Sequence, residues 1–155
     1  MIQRVNAIGQ VWPSVLRVVV GIYWLYFGSQ KWHGIDWMQG LMKGTADANP
    51  IPGLHELLTS VVVPNWFVFS LLQSIGENVV AVLLILGLAT RWAGLLGTLL
   101  ALNLALTVAF AVGDDGFRWL YYLAVLANIQ VVFSGPGPWA LDRFTWVPAR
   151  LRWTL

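Results

Sequence analysis

Four long apolar stretches dominate the chain, at about 11–30, 66–88, 92–112 and 117–134. Crossing roughly 30 Å of hydrocarbon takes about 20 helical residues, so each stretch is long enough to span a bilayer. Pro13 falls in the first turn of the first stretch, where a missing N–H costs nothing. Ala89-Thr90-Arg91 and Gly113-Asp114-Asp115-Gly116 separate the last three stretches, and connections that short force antiparallel neighbours. The pattern predicts an all-α fold, a transmembrane up-down four-helix bundle, with residues 1–155 as a single membrane domain.

The long connection over 31–64 is polar but patterned. Leu54, Leu57, Leu58, Val61 and Val62 share one helical face, with His55, Glu56, Thr59 and Ser60 opposite, between Gly53 and Pro64. This spacing predicts a short amphipathic surface helix in the outer loop, and Asn49-Pro50-Ile51-Pro52-Gly53 ahead of it is turn chemistry. The third stretch carries a small residue at every fourth position: Ala93, Gly97, Ala101, Ala105 and Ala109. Close backbone approach through small residues drives helix association in lipid, so this stripe packs against another span or against a neighbouring subunit.

The polar residues inside the apolar stretches are the candidate chemistry. Arg17, Gly21, Trp24, Gly28 and Lys31 share one face of the first helix. Trp66, Ser70, Gln73 and Glu77 share one of the second, and Tyr121, Val125, Asn128 and Val132 one of the fourth. Asn103 lies within the third span, and Gln130 in the inner half of the fourth. A charge at the bilayer centre costs about 2.5–3.5 kcal/mol on insertion scales, so such groups face the bundle interior with a partner. At 1.5 Å per residue Glu77 sits roughly 17 Å and Arg17 roughly 8 Å from the inner boundary. An Arg17–Glu77 ion pair is therefore expected, with Asn103 as the other partner and Arg17 snorkelling inward as the competing geometry. The pair either pins the first two helices together or joins Gln73, Asn103 and Asn128 in a chamber that holds a quinone head group or a small anion. Lys31 and His33, just outside the first span, are candidates for attracting an anion at the outer surface.

Composition narrows the classes. Hydrophobic residues make up 58% and charged residues 10%, against about 25% charge in soluble domains, and mean hydropathy is +0.70. Disordered chains, coiled coils and nucleic-acid modules are excluded, and membrane lipids are the implied surroundings. Arg4, Arg91, Arg143, Arg150 and Arg152 fall on one side of the bundle, and Lys31, Lys43 and Arg118 on the other. The positive-inside rule then places both termini in the cytoplasm, and the expected location is integral to a prokaryotic cytoplasmic membrane. Met1 is not followed by a charged n-region and a small-residue cleavage site, so no cleaved signal peptide is expected. The chain has no cysteine, which excludes thiol relays and thiolate metal sites. His33 and His55 have no partner at metal-ligand spacing, so no haem or metal ligated by this chain is expected. Trp24, Trp32, Trp37 and Trp66 read as an interfacial belt that would also form an apolar mouth for a quinone.

Taken in order, these motifs resemble DoxX-type membrane proteins. The resemblance rests on Arg17-Val-Val-Val-Gly21, Gly28-Ser-Gln-Lys31, Glu77, Leu86-Gly87-Leu88-Ala89-Thr90-Arg91 and the closing Gly135-Pro-Gly-Pro-Trp139-Ala-Leu141-Asp142. It covers roughly Arg17 to Asp142, with Ala140 where a Ser is common. The long first loop ending in Val63-Pro64-Asn65 is more similar to the DoxD branch, the membrane subunit of thiosulfate:quinone oxidoreductase. The resemblance implies an integral membrane subunit in quinone-linked redox metabolism, with quinone as cofactor and thiosulfate as electron source in the DoxD branch. The alternative is a non-catalytic accessory subunit of a larger respiratory or photosynthetic complex, in contact with other subunits or with further copies of itself. A transporter ranks below both, because no broken helix or inverted repeat is evident.

Overall fold

The computed structural model describes residues 2–143, with side chains from Val11 to Asp142. The side chains of Arg4 and Arg143, and residues Arg150 and Arg152, which enter the charge count for orientation, lie outside the described residues. Among the described residues there are helices and no strand: α1 (Ile2–Ser29), α2 (Trp37–Ala48), α3 (Pro52–Leu57), a π-helical turn (Leu58–Val62), α4 (Trp66–Leu86), α5 (Thr90–Leu106), α6 (Val108–Ala111), α7 (Asp115–Ser134) and a 3-10 turn (Leu141–Arg143). Four stretches are long and apolar enough to cross a membrane: Val11–Ser29, Trp66–Leu86, Thr90–Ala111 and Asp115–Ser134. The protein is an integral membrane protein, an all-α bundle in contact with lipid.

Helix α1 packs mainly on α4, and α5 on α7. The faces read from spacing are the buried ones: Arg17, Gly21, Trp24, Gly28 and Lys31 are all buried. Glycine sets the α1–α4 separation. A Cβ on Gly21 would lie 2.7 Å from Ile85, and one on Gly28 would lie 2.8 Å from Asn78. The stripe Ala93, Gly97, Ala101, Ala105 and Ala109 is buried within the chain, which settles its direction. Gly97 lies against Asn128, where an added Cβ would collide with the amide oxygen.

Two features depart from the spacing argument. The long first loop holds two helices, not one: Trp37–Ala48 precedes the amphipathic segment, which itself divides into α3 and the π-helical turn. Gly40 and Gly44 obscure the earlier helix by lowering its propensity, while Trp37, Met38, Leu41, Met42 and Thr45 form its stripe along the cavity described below. The third span, expected to be continuous, breaks at Thr107, whose φ and ψ are −121° and −80°. Thr107 Oγ1 donates to the Asn103 carbonyl at 2.6 Å, a local bond that competes with the helical ladder. The carbonyl of Leu106 at the break accepts from Asn49 Nδ2 at 2.9 Å.

Candidate functional site

Opposite ends of the bundle carry the two polar clusters. At one end Arg17 is buried and donates through Nη1 to the carbonyls of Leu84, with Ile85 at 2.9 Å. Its Nε reaches Pro136 O at 3.2 Å and its Nη2 reaches Trp139 O at 3.3 Å. The last carbonyls of a helix have no partner inside the helix, and they carry the negative end of its dipole. Arg17 satisfies two of those in α4 and ties them to the closing segment. Gly87, at φ 72°, ends α4 in the left-handed conformation, and a Cβ there would lie 2.7 Å from both Arg17 Nη1 and Ala140.

Asp142 completes this end. Its carboxylate accepts from Ala89 N at 2.8 Å and from Thr90 N and Thr90 Oγ1, both at 3.1 Å. An acid accepting from the first free N–H groups of α5 is a helix N-terminal cap supplied from elsewhere in the chain. The Gly135–Asp142 motif is therefore a strap: Trp139 N donates to Ser14 Oγ at 3.2 Å, and Asp142 N donates to Gly87 O at 2.9 Å.

The other end holds the second cluster. Lys31 Nζ forms a salt bridge with Glu77 Oε2, with the two side chains only 6% and 2% exposed. Lys31 also donates to Phe27 O at 3.3 Å, and Gln73 Nε2 donates to Glu77 Oε1 at 2.8 Å. Asn103 Nδ2 approaches Gln73 Oε1 at 3.5 Å, at the limit of a hydrogen bond. Lys31, Glu77, Gln73 and Asn103 thus form one polar row across α4, α5 and the turn that follows α1.

That row lines a cavity of about 570 Å3. Its walls are largely apolar: Met38, Leu41 and Met42 of α2, Leu54 and Leu57 of α3, Leu58 and Val62 of the π-helical turn, and Leu100 and Leu104 of α5. Tyr121 of α7 also lines it. Thr45 adds a buried hydroxyl without a hydrogen-bond partner. Apolar walls with a few converging polar groups are the usual makeup of a small-molecule site.

The expected grouping of site residues is therefore rearranged. Gln73, Glu77 and Asn103 come together at the cavity. Arg17 does not join them, and the Arg17–Glu77 pair is not formed; the guanidinium lies at the opposite end of the bundle from Glu77, held by the carbonyls that end α4. Lys31, expected at the outer surface, turns inward onto Glu77. His33 is exposed and does not line the cavity. Asn128 is buried away from the cavity lining, donating to Ala124 O at 2.7 Å and accepting from Trp24 Nε1 at 3.1 Å. Trp24 is accordingly a core residue, not part of an interfacial belt. Trp37 lines the cavity, while Trp32 donates to Asn78 Oδ1 at 3.0 Å. Gln130 is exposed and donates to Ser134 Oγ at 3.0 Å. His55 Nδ1 lies 2.7 Å from Ala46 O and joins α3 to the end of α2. Thr45, Met38 and Met42 were legible only through the α2 stripe that its glycines obscure.

No curated protein and no solved structure matches the chain. Residues 13–112 match the DoxX family, a stretch that includes α1 from Pro13, α2, α3 and the π-helical turn, α4 and the broken third span, and with them every residue of the Lys31–Glu77–Gln73–Asn103 row. Together with the four apolar helices, this match makes the chain a member of the DoxX family of integral membrane proteins.

Proposed function

We propose that this protein is a membrane subunit in quinone-linked redox metabolism and that the cavity beside the Lys31–Glu77 pair receives a quinone head group. The observation that carries the reading is a buried ion pair lining an apolar cavity at one end of a membrane bundle. Burying two charges costs several kcal/mol per ion unless geometry and further hydrogen bonds compensate. A pair that only fastened two helices would not need to border a cavity as well.

The donor set fits the group. A quinone ring is flat and apolar with carbonyl oxygens at its edge, and when bound it supplies two-electron redox chemistry with proton uptake. Lys31, Gln73 and Asn103 bring N–H donors, and Thr45 brings a hydroxyl with no partner of its own. Glu77 provides the carboxylate on which a proton can be held, at Oε1 or Oε2, while Lys31 compensates its charge. Met38, Leu41, Leu54 and Leu104 exclude water from the space between. The chain has no cysteine to carry electrons as a thiol pair, so a partner subunit supplies them. The likeness of the first loop to the DoxD branch supports thiosulfate as their source.

Quenching of tryptophan fluorescence by a short-chain quinone tests the reading, because Trp37 lines the cavity. Saturable quenching is expected in the wild type. The double variant Lys31→Met with Glu77→Met removes both charges, leaves none stranded, and should fold while binding at least tenfold more weakly. Unchanged quenching in the folded double variant would remove the quinone from this cavity. Loss of thiosulfate-dependent quinone reduction in native membranes carrying the double variant would add the electron source. A folded double variant with full turnover would point instead to an accessory role.

A further inference from the structure

We infer that the cavity is reached sideways from the hydrocarbon, through an opening between α4, α5 and α3 at Leu72, Asn103 and Leu57, and that its ligand is an amphiphile that arrives dissolved in the bilayer. This rests on the reading of the cavity as a ligand site, and it adds the route and the physical class of the occupant. Leu72 and Leu57 line the cavity and are nevertheless 60% and 50% exposed, so single side chains stand there between the cavity and the outside of the bundle. Leu72 lies six residues inside α4, about 9 Å from its Trp66 end at 1.5 Å per residue. Asn103 lies eight residues before Ala111, which places it about 12 Å inside the third span. The opening is therefore at hydrocarbon depth.

Asn103 strengthens the point. Its side chain is exposed at that depth, and its only hydrogen bond among the described residues, to Gln73, is 3.5 Å long. An amide with so little satisfaction is costly in lipid. It is understandable as the outermost member of the polar row, because Asn103, Gln73 and Glu77 lead in sequence from the rim to the buried ion pair. A polar head group sliding in past Leu72 exchanges one hydrogen-bonding partner for the next while its apolar tail stays among Leu57, Leu72 and the lipid. The competing route passes Gln30 and Trp37, which are also exposed and line the cavity, but these follow the end of the first span and meet the head-group layer.

The cysteine-free chain permits a direct test. Met42→Cys places one thiol in the cavity roof, and the protein is reconstituted in liposomes. A long-chain N-alkylmaleimide carried in the bilayer should alkylate it at least tenfold faster than a sulfonated, membrane-impermeant maleimide. Adding Leu72→Trp should slow the lipid-borne reagent at least fivefold, whereas Gln30→Trp should leave the rate unchanged. Circular dichroism and gel filtration establish that each variant is folded, and Leu104→Cys replaces Met42→Cys if the latter is not. Equal rates with and without Leu72→Trp, faster reaction with the impermeant reagent, or no reaction with either would overturn the lateral route. A short-chain quinone added beforehand should protect the thiol. Labelling that is slowed by Leu72→Trp but not protected by quinone keeps the route and rejects the quinone.

Discussion

Arg17 offers the sharpest test of the division between the two ends of the bundle. Arg17→Met removes a guanidinium that serves Leu84 O, Ile85 O, Pro136 O and Trp139 O. Stranding a buried acceptor costs about 1–3 kcal/mol, so the two carbonyls at the end of α4 account for roughly 2–6 kcal/mol. Releasing the guanidinium from its own burial returns part of this, and the strap loses its two contacts as well. A net destabilisation of about 3 kcal/mol is expected, roughly a hundredfold in the folding equilibrium. Arg17→Lys keeps the charge but loses the fork of donors, and should fall between the two. Unfolding in mixed micelles by titration with SDS, followed by far-ultraviolet circular dichroism, measures the effect. Arg17 precedes Lys31 by 14 residues, or about 21 Å of helix. Quinone quenching by folded Arg17→Met should therefore match the wild type. Stability within about 0.5 kcal/mol of the wild type, below the loss of even one such hydrogen bond, would refute the capping role. Normal stability with lost quinone binding would return Arg17 to the ligand site.

Gly97→Ala should destabilise by about 1–3 kcal/mol, the usual range for overpacking, because its Cβ would displace Asn128 from Trp24; the same SDS titration checks it. Asn49→Leu leaves the Leu106 carbonyl at the helix break without its donor, and should raise hydrogen exchange in α2 and around Thr107 before any global unfolding. The positive-inside reading, which puts both termini in the cytoplasm, predicts that a cysteine placed at His55 reacts with an impermeant maleimide applied outside intact cells. Reaction only after permeabilisation would invert the orientation.

Much of the bundle was legible in periodicity alone. In lipid every backbone polar group must be satisfied within its own helix, so length and apolarity dictate four spans. The faces follow from 3.6 residues per turn, and burial of Arg17, Gly21, Trp24, Gly28 and Lys31 together agrees with that reading. Spacing also singled out Gln73, Glu77 and Asn103, because polar groups at those depths need a reason.

Partnership required tertiary structure. Which residues of α1 and α4 stand level depends on how two antiparallel helices slide along one another, and no period encodes that offset. The close approaches of Gly21 to Ile85 and of Gly28 to Asn78 set it, leaving Glu77 opposite the end of α1 and Arg17 opposite the end of α4. Lys31 thereby replaces Arg17 as the partner of Glu77, and the guanidinium caps a helix instead. The break at Thr107 depends on Asn49 arriving from a distant loop to satisfy a freed carbonyl, and the cavity exists only because α2, α3 and the π-helical turn fold over the polar row. Composition and period determined the helices and the faces they bury; the sliding of one helix on another, and the loops that fold back over them, decided which polar groups meet.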